Sequence, residues 1–122
     1  RGHRVTLFNR GRTNPGLFPN VEKLQGDRAT GDYRALAGHE WDVVIDNPTT
    51  LPRWVREAAA AVKGRARQYV FVSTISVYAS GDTPGADETA AVATTDTPNE
   101  EDPAKRMQLY GPLKALSEQE AE

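Results

Sequence analysis

The sequence of 122 residues has a length typical of one domain, carries a formal net charge of −2 and contains no cysteine. This charge supplies no general attraction to nucleic acid or to a membrane surface, and without cysteine there is no disulfide, catalytic thiolate or cysteine-ligated zinc. No apolar run is long enough to span a membrane. We therefore expect a cytoplasmic protein that binds neither membrane nor nucleic acid.

Short strands and helices alternate along the sequence. β-forming runs predict strands, apolar residues at helical spacing predict helices, and Gly and Pro mark where elements end. In chain order we predict strands at 4–8 and 21–24, a short helix at 33–37, a strand at 41–46, a helix that Pro52 opens and Gly64 ends, a strand at 69–72, a long loop or insert at 79–107, and a helix from about Leu109 to the end.

Strands that alternate with helices in this way indicate an α/β fold with a parallel sheet. The run 69–72 is apolar without interruption, which is typical of a strand in a sheet that is covered on both faces. In such sheets ligands bind beyond the carboxyl ends of the strands. The side chains that follow each predicted strand are therefore the candidates for a functional site.

Arg10 and Asp27 follow the first and second predicted strands. At the position of Arg10, a dinucleotide-binding fold has an acidic residue when the ribose 2′-hydroxyl is free. It has an arginine when the ribose carries a 2′-phosphate, because a guanidinium binds two phosphate oxygens at once. The alternative is that Arg10 and Arg12 are solvated loop residues that bind no phosphate. Asp27 belongs to a Gly-Asp pair, which on its own indicates a turn.

Polar residues also follow the third and fourth predicted strands. The segment 46–50 after the third strand is equally suited to capping the helix that Pro52 opens. Three residues with hydroxyl groups follow the fourth strand: Ser73, Thr74 and Ser76. They are candidates for a functional role, and the alternative is that they make only local hydrogen bonds within a loop.

Tyr110 and Lys114 stand four residues apart in the last predicted helix, so they share a helix face. A nearby ammonium favours the phenolate and lowers the pKa of a tyrosine, which can then act as a general acid or base. Pro112 has no N–H and is tolerated only in the first helical turn, which predicts that Tyr110 lies where the helix begins. A partly buried tyrosine beside a solvated lysine is the alternative.

Taken in order, these motifs resemble the NAD(P)-dependent epimerase/dehydratase group, which comprises extended and some atypical short-chain dehydrogenases/reductases. The motifs are Gly-His-x-Val-x-Leu-Phe-x-Arg, Gly-Asp, Trp-Asp-Val-Val-Ile-Asp, Tyr-Val-Phe-Val-Ser-Thr-x-Ser-Val-Tyr and Tyr-Gly-Pro-Leu-Lys. The resemblance implies a partial Rossmann domain over residues 1–122, with a doubly wound parallel sheet and flanking helices. It also implies an enzyme that uses NADP or NAD to oxidise or reduce a secondary alcohol of a nucleotide sugar or a similar polyol.

The resemblance also assigns roles to individual residues. Tyr110 corresponds to the acid/base tyrosine, and Lys114 to the lysine that lowers its pKa and binds the nicotinamide ribose. Thr74 corresponds to the hydroxyl that positions the substrate, with Ser73 and Ser76 as rivals. Arg10 favours NADP over NAD. The residues that correspond to cofactor-binding positions are Arg10, Asp27, Asn47, Pro48, Ser73 and Lys114.

Two parts of the family pattern are absent: the first strand with its Gly-x-x-Gly-x-x-Gly loop, and the substrate-binding region after the Tyr-x-x-x-Lys helix. Arg1, Gly2 and His3 resemble the end of a helix, so we expect that the 122 residues belong to a longer polypeptide. A non-catalytic regulatory or RNA-associated relative, and an inactive fragment, are the alternatives. Leu113 and Leu116 suit either a homodimer contact or the core.

Overall fold

The computed structural model describes residues 2–48, 51–82 and 84–122, in which strands and helices alternate much as predicted. The strands are β1 (Thr6–Asn9), β2 (Glu22–Gln25), β3 (Trp41–Asp46) and β4 (Ala66–Phe71). The helices are α1 (Pro52–Val62), α2 (Pro103–Gln108) and α3 (Tyr110–Ala121), and single 3-10 turns lie at Arg34–Leu36 and Ile75–Val77. The chain divides into an N-terminal unit, Arg1–His39, and a C-terminal unit, Glu40–Glu122.

The N-terminal unit is built on β1 and β2, which pair in parallel. At Gly26, directly after β2, the backbone approaches the ring of Phe8 and the carbonyl oxygen of Asp32 so closely that a Cβ would overlap both. Phe8 stacks on Tyr33, with ring centroids 5.9 Å apart. Among the described residues of this unit, Leu36 is the one buried side chain.

The C-terminal unit is built on a β-α-β motif, in which α1 connects the parallel strands β3 and β4. Pro52 lies in the first turn of α1, as predicted, where the N–H that proline lacks has no partner within the helix. α1 packs against α3, and α3 against β4 and the Ile75–Val77 turn. The buried apolar side chains of this unit are Leu51, Trp54, Val55, Ala58, Val62, Val77, Leu113 and Ala115.

The segment predicted as a loop, 79–107, is partly structured. Its end forms most of α2, where the carboxylate of Asp102 accepts hydrogen bonds from two backbone N–H groups and Pro103 occupies the first turn. These are ordinary signals for the start of a helix, and the loop prediction overlooked them. Near the start of the segment, Tyr78 and Val92 form an antiparallel bridge.

Three further predictions about the fold need correction. The described residues do not form one doubly wound sheet but two parallel sheets of two strands each. The sheet of β3 and β4 is not covered on both faces, because Val43 and Ile45 are 46% and 70% exposed on the face away from Asp46. The helix predicted at 33–37 is the single 3-10 turn named above. The predicted helix end at 1–3 begins at Arg1, outside the described residues.

α3 begins at Tyr110, close to the predicted start, and has Pro112 in its first turn. Leu113 has no exposed surface, so of its two predicted roles it takes the one in the core, whereas Leu116 is half-buried. In the part of the chain that the structure describes, no helix has the length and apolar character needed to cross a membrane.

Candidate functional site

Lys114 is buried in the C-terminal unit, with 1% of the residue exposed. α3 directs its side chain at the carboxyl ends of β3 and β4, where Nζ donates to the carbonyl oxygen of Val72 and, at 3.5 Å, to that of Pro48. Nζ also lies 4.1 Å from the centroid of the Phe71 ring. Lys114 is therefore at the sheet edge beyond which ligands bind in parallel α/β folds.

Burial lowers the pKa of Lys114 below its ordinary value of 10.5, because surroundings with little water disfavour the charged form. The carboxylates of Asp46 and Glu118 act in the opposite direction and favour the ammonium. The two carbonyl oxygens and the aromatic face that Nζ contacts also attract a cation. The buried amine is thus surrounded by groups that favour its protonated form.

Gly111 brings the start of α3 against the Ile75–Val77 turn. A Cβ at this position would overlap the carbonyl oxygen of Ser76, so only glycine permits the observed approach of the two backbones. Tyr110 stands directly before this contact and is half-buried. Gly111 and Pro112 therefore have different roles in the Tyr-Gly-Pro-Leu-Lys motif. Gly111 allows the start of α3 to lie against the Ile75–Val77 turn, and Pro112 requires the helix to begin close to this point.

Thr74 is the N-cap of the Ile75–Val77 turn. Its Oγ1 accepts a hydrogen bond from the backbone N–H of Ser76 at 3.3 Å, and lies 3.4 Å from the Ser76 hydroxyl oxygen, to which it donates. Because this turn packs on the start of α3, Thr74 and Tyr110 both lie close to that contact. The structure brings these two residues and Lys114 to one end of the C-terminal unit.

Asn47, Pro48 and Ser73 follow the ends of β3 and β4. Pro48 is buried, and its carbonyl oxygen is one of the two acceptors of Lys114. Asn47 and Ser73 are exposed. These three predicted cofactor-binding residues therefore lie at the same strand ends as Lys114, with two of their side chains open to solvent.

Arg10 and Asp27 belong to the N-terminal unit, where they follow β1 and β2. The Arg10 residue is exposed, and its carbonyl oxygen accepts a hydrogen bond from Nε2 of Gln25 at 3.4 Å. The carboxylate of Asp27 accepts from the N–H of Ala29 at 2.9 Å, and its backbone exchanges two hydrogen bonds with Asp32, of 3.1 and 2.9 Å. Asp27 therefore has the turn role that its Gly-Asp pair indicates.

The N-terminal unit also contains a cavity of about 580 Å³, beside the loop that joins β1 to β2. Asn9 and Gly11, the neighbours of Arg10, line it, as does Lys23, although Arg10 does not. Phe18, another lining residue, has a φ of 54°, a backbone conformation that residues other than glycine adopt at a cost. A cavity of this volume suits a small molecule.

Asp46, Tyr69 and Phe71 are parts of the site that sequence reasoning missed. Asp46, in the segment suited to capping α1, is instead buried and accepts a hydrogen bond from the Tyr69 hydroxyl at 2.5 Å. The N-cap of α1 is Leu51, which makes no side-chain capping bond, and 49–50 lies outside the described residues. The signal that could have found this cluster is an acidic residue at the end of an otherwise apolar strand.

In the ranges 2–48, 51–82 and 84–122, no group of three or more His, Asp or Glu side chains is arranged to hold a metal ion. Comparisons of the chain with protein-family models, curated proteins and solved structures found no match. The candidate site is therefore described by its own geometry: a buried lysine, a half-buried tyrosine and a threonine at the carboxyl ends of two parallel strands.

Proposed function

We propose that the chain carries the catalytic part of an NAD(P)-dependent oxidoreductase or epimerase, which acts on a secondary alcohol of a nucleotide sugar or a similar polyol. The observation that carries this proposal is the buried ammonium of Lys114 at two parallel strand ends, on the same helix face as Tyr110. Burying a lysine costs free energy, so a lysine with a perturbed pKa at such a sheet edge favours a functional role over a purely structural one.

In the proposed reaction Tyr110 exchanges a proton with the substrate oxygen. Tyr110 takes the proton when the alcohol is oxidised and returns it when the carbonyl is reduced. Thr74 holds the substrate oxygen with its hydroxyl, which the cap of the Ile75–Val77 turn keeps in place. NADP or NAD, when bound, would supply or accept the hydride.

Each unit of the chain, taken by itself, has polar groups that fit a part of such a dinucleotide. In the C-terminal unit, the exposed side chains of Asn47 and Ser73 offer hydrogen-bonding groups for ribose hydroxyls at the strand ends where Lys114 lies. The exposed guanidinium of Arg10 suits a 2′-phosphate, which favours NADP. Since a chain without cysteine suits a reducing compartment, we assign the proposed activity to the cytoplasm.

The proposal is tested with the Tyr110→Phe variant of the protein. We expect turnover to fall by about 10²–10⁴-fold while NADP binding persists, because the phenol transfers a proton but does not hold the cofactor. Turnover is followed by the absorbance of reduced nicotinamide over a panel of nucleotide sugars and polyols, and binding by calorimetry with NADP.

Tyr78→Phe is the matched control, because Tyr78 is also half-buried and directly follows the Ile75–Val77 turn, but has no proposed role in proton transfer. It should retain the turnover of the unmodified protein. Full activity of Tyr110→Phe would refute the proposed function. Retention of RNA that weakens with salt, together with no NADP binding, would favour the non-catalytic alternative.

A further inference from the structure

Asp46, Tyr69 and Phe71 share the face of the β3–β4 sheet on which Lys114 lies. Asp46 is directly opposite Phe71 in the register, and Tyr69 precedes Phe71 by two residues, so the three side chains point to the same side. Nζ of Lys114 lies over the Phe71 ring on that side. The ammonium and the Asp46 carboxylate therefore belong to one buried cluster.

The carboxylate of Asp46 is held in place. The residue is 5% exposed, and burying a carboxylate is costly unless other groups hydrogen-bond to it or carry the opposite charge. The Tyr69 hydroxyl donates to Oδ2, which limits the rotation of the carboxylate. The backbone is fixed as well, because the carbonyl oxygen of Asp46 accepts a hydrogen bond from the N–H of Val72 at 2.9 Å.

The same backbone also bears an acceptor of the lysine. Val72 donates its N–H to Asp46 and accepts from Nζ of Lys114 through its carbonyl oxygen. A change in the position of Asp46 would therefore move both the counter-charge and the acceptor of the lysine. Asp46 therefore acts on Lys114 in two ways, through its carboxylate and through the backbone hydrogen bond to Val72.

The charged and titratable groups around Lys114 come from three elements. Asp46 faces it from β3 and Tyr69 belongs to the same cluster on β4, while α3 itself contributes Glu118 and Tyr110. On α1, which packs against α3, the cation of Arg56 pairs with Glu120 at 3.1 Å. Of the two carboxylates that act on Lys114, Asp46 is the one in the buried part of the sheet.

We infer that Asp46, oriented by Tyr69, is a positioning residue that keeps Lys114 charged and directed at the carboxyl ends of β3 and β4. Its part in catalysis rests on the proposed function, in which Lys114 and Tyr110 act at the same strand ends. Its effect on Lys114 itself does not rest on that function and can be measured without a substrate.

The experiment follows the titration of Lys114 by carbon NMR in protein with lysine labelled at Cε. The sequence has four lysines, and Lys23, Lys63 and Lys105 are exposed, so their signals serve as internal references. In Asp46→Asn we expect the titration midpoint of Lys114 to fall below that of the unmodified protein, because burial is then opposed by one carboxylate fewer. Tyr69→Phe should shift it in the same direction by less.

Asp42→Asn is the matched control, because Asp42 also belongs to β3 but is exposed and pairs with Arg67 at 3.4 Å. It should leave the Lys114 midpoint where it is. An unchanged midpoint in a folded Asp46→Asn variant would overturn the inference. If Asp46→Asn does not fold, Tyr69→Phe decides, and an unchanged midpoint there overturns the inference as well.

The two proposals fail separately. A lowered Lys114 midpoint in Asp46→Asn, combined with full turnover in Tyr110→Phe, would support the positioning role and refute the proposed function. An unchanged Lys114 midpoint in Asp46→Asn, combined with lost turnover in Tyr110→Phe, would refute the positioning role and support the proposed function. Where turnover is measurable, Asp46→Glu should restore the midpoint and part of the activity that Asp46→Asn loses.

Discussion

The two units of the chain contain the same kind of sheet but are stabilised by different interactions. In the C-terminal unit α1 and α3 provide buried apolar side chains, of which Val55 and Leu113 have no exposed surface. Burying a side chain of this kind contributes about 1.5–3 kcal/mol. In the N-terminal unit Leu36 is the one described residue that is buried.

Hydrogen bonds between polar groups at or near the surface take the place of a core in the N-terminal unit. Thr6 donates to Glu22 at 2.7 Å, and Lys23 donates to the carbonyl oxygen of Pro15 at 2.6 Å. Exposed contacts of this kind contribute about 0–1 kcal/mol each, because water competes for the same groups. Two paired strands alone are marginally stable in water, and a helix packed against them supplies the apolar burial that the described residues of the N-terminal unit have at Leu36 alone.

The largest expected effect is that of Leu113→Ala. Removing this side chain should lower the free energy of unfolding of the C-terminal unit by about 2–5 kcal/mol, since the cavity left behind adds to the lost burial. Urea unfolding followed by tryptophan fluorescence reports on this unit, because Trp41 and Trp54 both belong to it. Leu17→Ala, at a residue of the N-terminal unit that is 55% exposed, should change the stability of that unit, measured by amide exchange within it, by less than about 0.5 kcal/mol. Equal losses in the two variants would break the comparison.

The next effect in size is that of Gly111→Ala. The added Cβ would force the start of α3 away from Ser76, which should cost about 1–3 kcal/mol. Gly81→Ala is the control, because its Cβ would meet no atom within 4 Å. Both variants are compared by urea unfolding. If Gly111→Ala were as stable as Gly81→Ala, the approach of the helix to the turn would not need glycine.

The smallest expected effect concerns acid and the N-terminal unit. The hydrogen bond from Thr6 lowers the pKa of Glu22 below its usual 4.5, and Arg34 lowers the pKa of Asp32 below its usual 3.8. A carboxyl group whose pKa is lowered by folding contributes stability above its unfolded pKa and loses it as pH falls through the folded value. The protection of amides in this unit, measured by hydrogen exchange and corrected for the intrinsic rate at each pH, should therefore fall slightly below about pH 4, and by less in Asp32→Asn. An identical pH dependence in that variant would contradict the role of Asp32.

Elements that depend on local sequence signals could be predicted. The strand at 41–46 was predicted with its observed bounds, and Pro52 and Pro112 correctly marked the first turns of α1 and α3. The parallel pairing of the strands was predicted, but not their division into two sheets of two strands, because pairing depends on contacts between distant residues. The same limit hid the exposed face of β3, since the apolar residues Val43 and Ile45 predict burial from composition alone.

In the candidate site as well, contacts between residues close in the sequence could be predicted, and contacts between distant residues could not. Tyr110 and Lys114 could be paired from the sequence because one helical turn joins them. Asp46 and Tyr69 could not, because 23 residues separate them and only the register of β3 and β4 brings them together. The role of Gly111 depends on the path of the Ile75–Val77 turn, which the sequence does not specify.

The bridge between Tyr78 and Val92 gives the chain a place for attached probes. It joins the two ends of the intervening loop, so residues added inside the loop lengthen a segment whose ends are already held together. Each doubling of such a loop costs only about 0.6 kcal/mol. Gly85, exposed and with a φ of 77°, lies in a turn within it. A fluorescent reporter inserted after Gly85 would therefore extend a loop whose ends stay joined at Tyr78 and Val92.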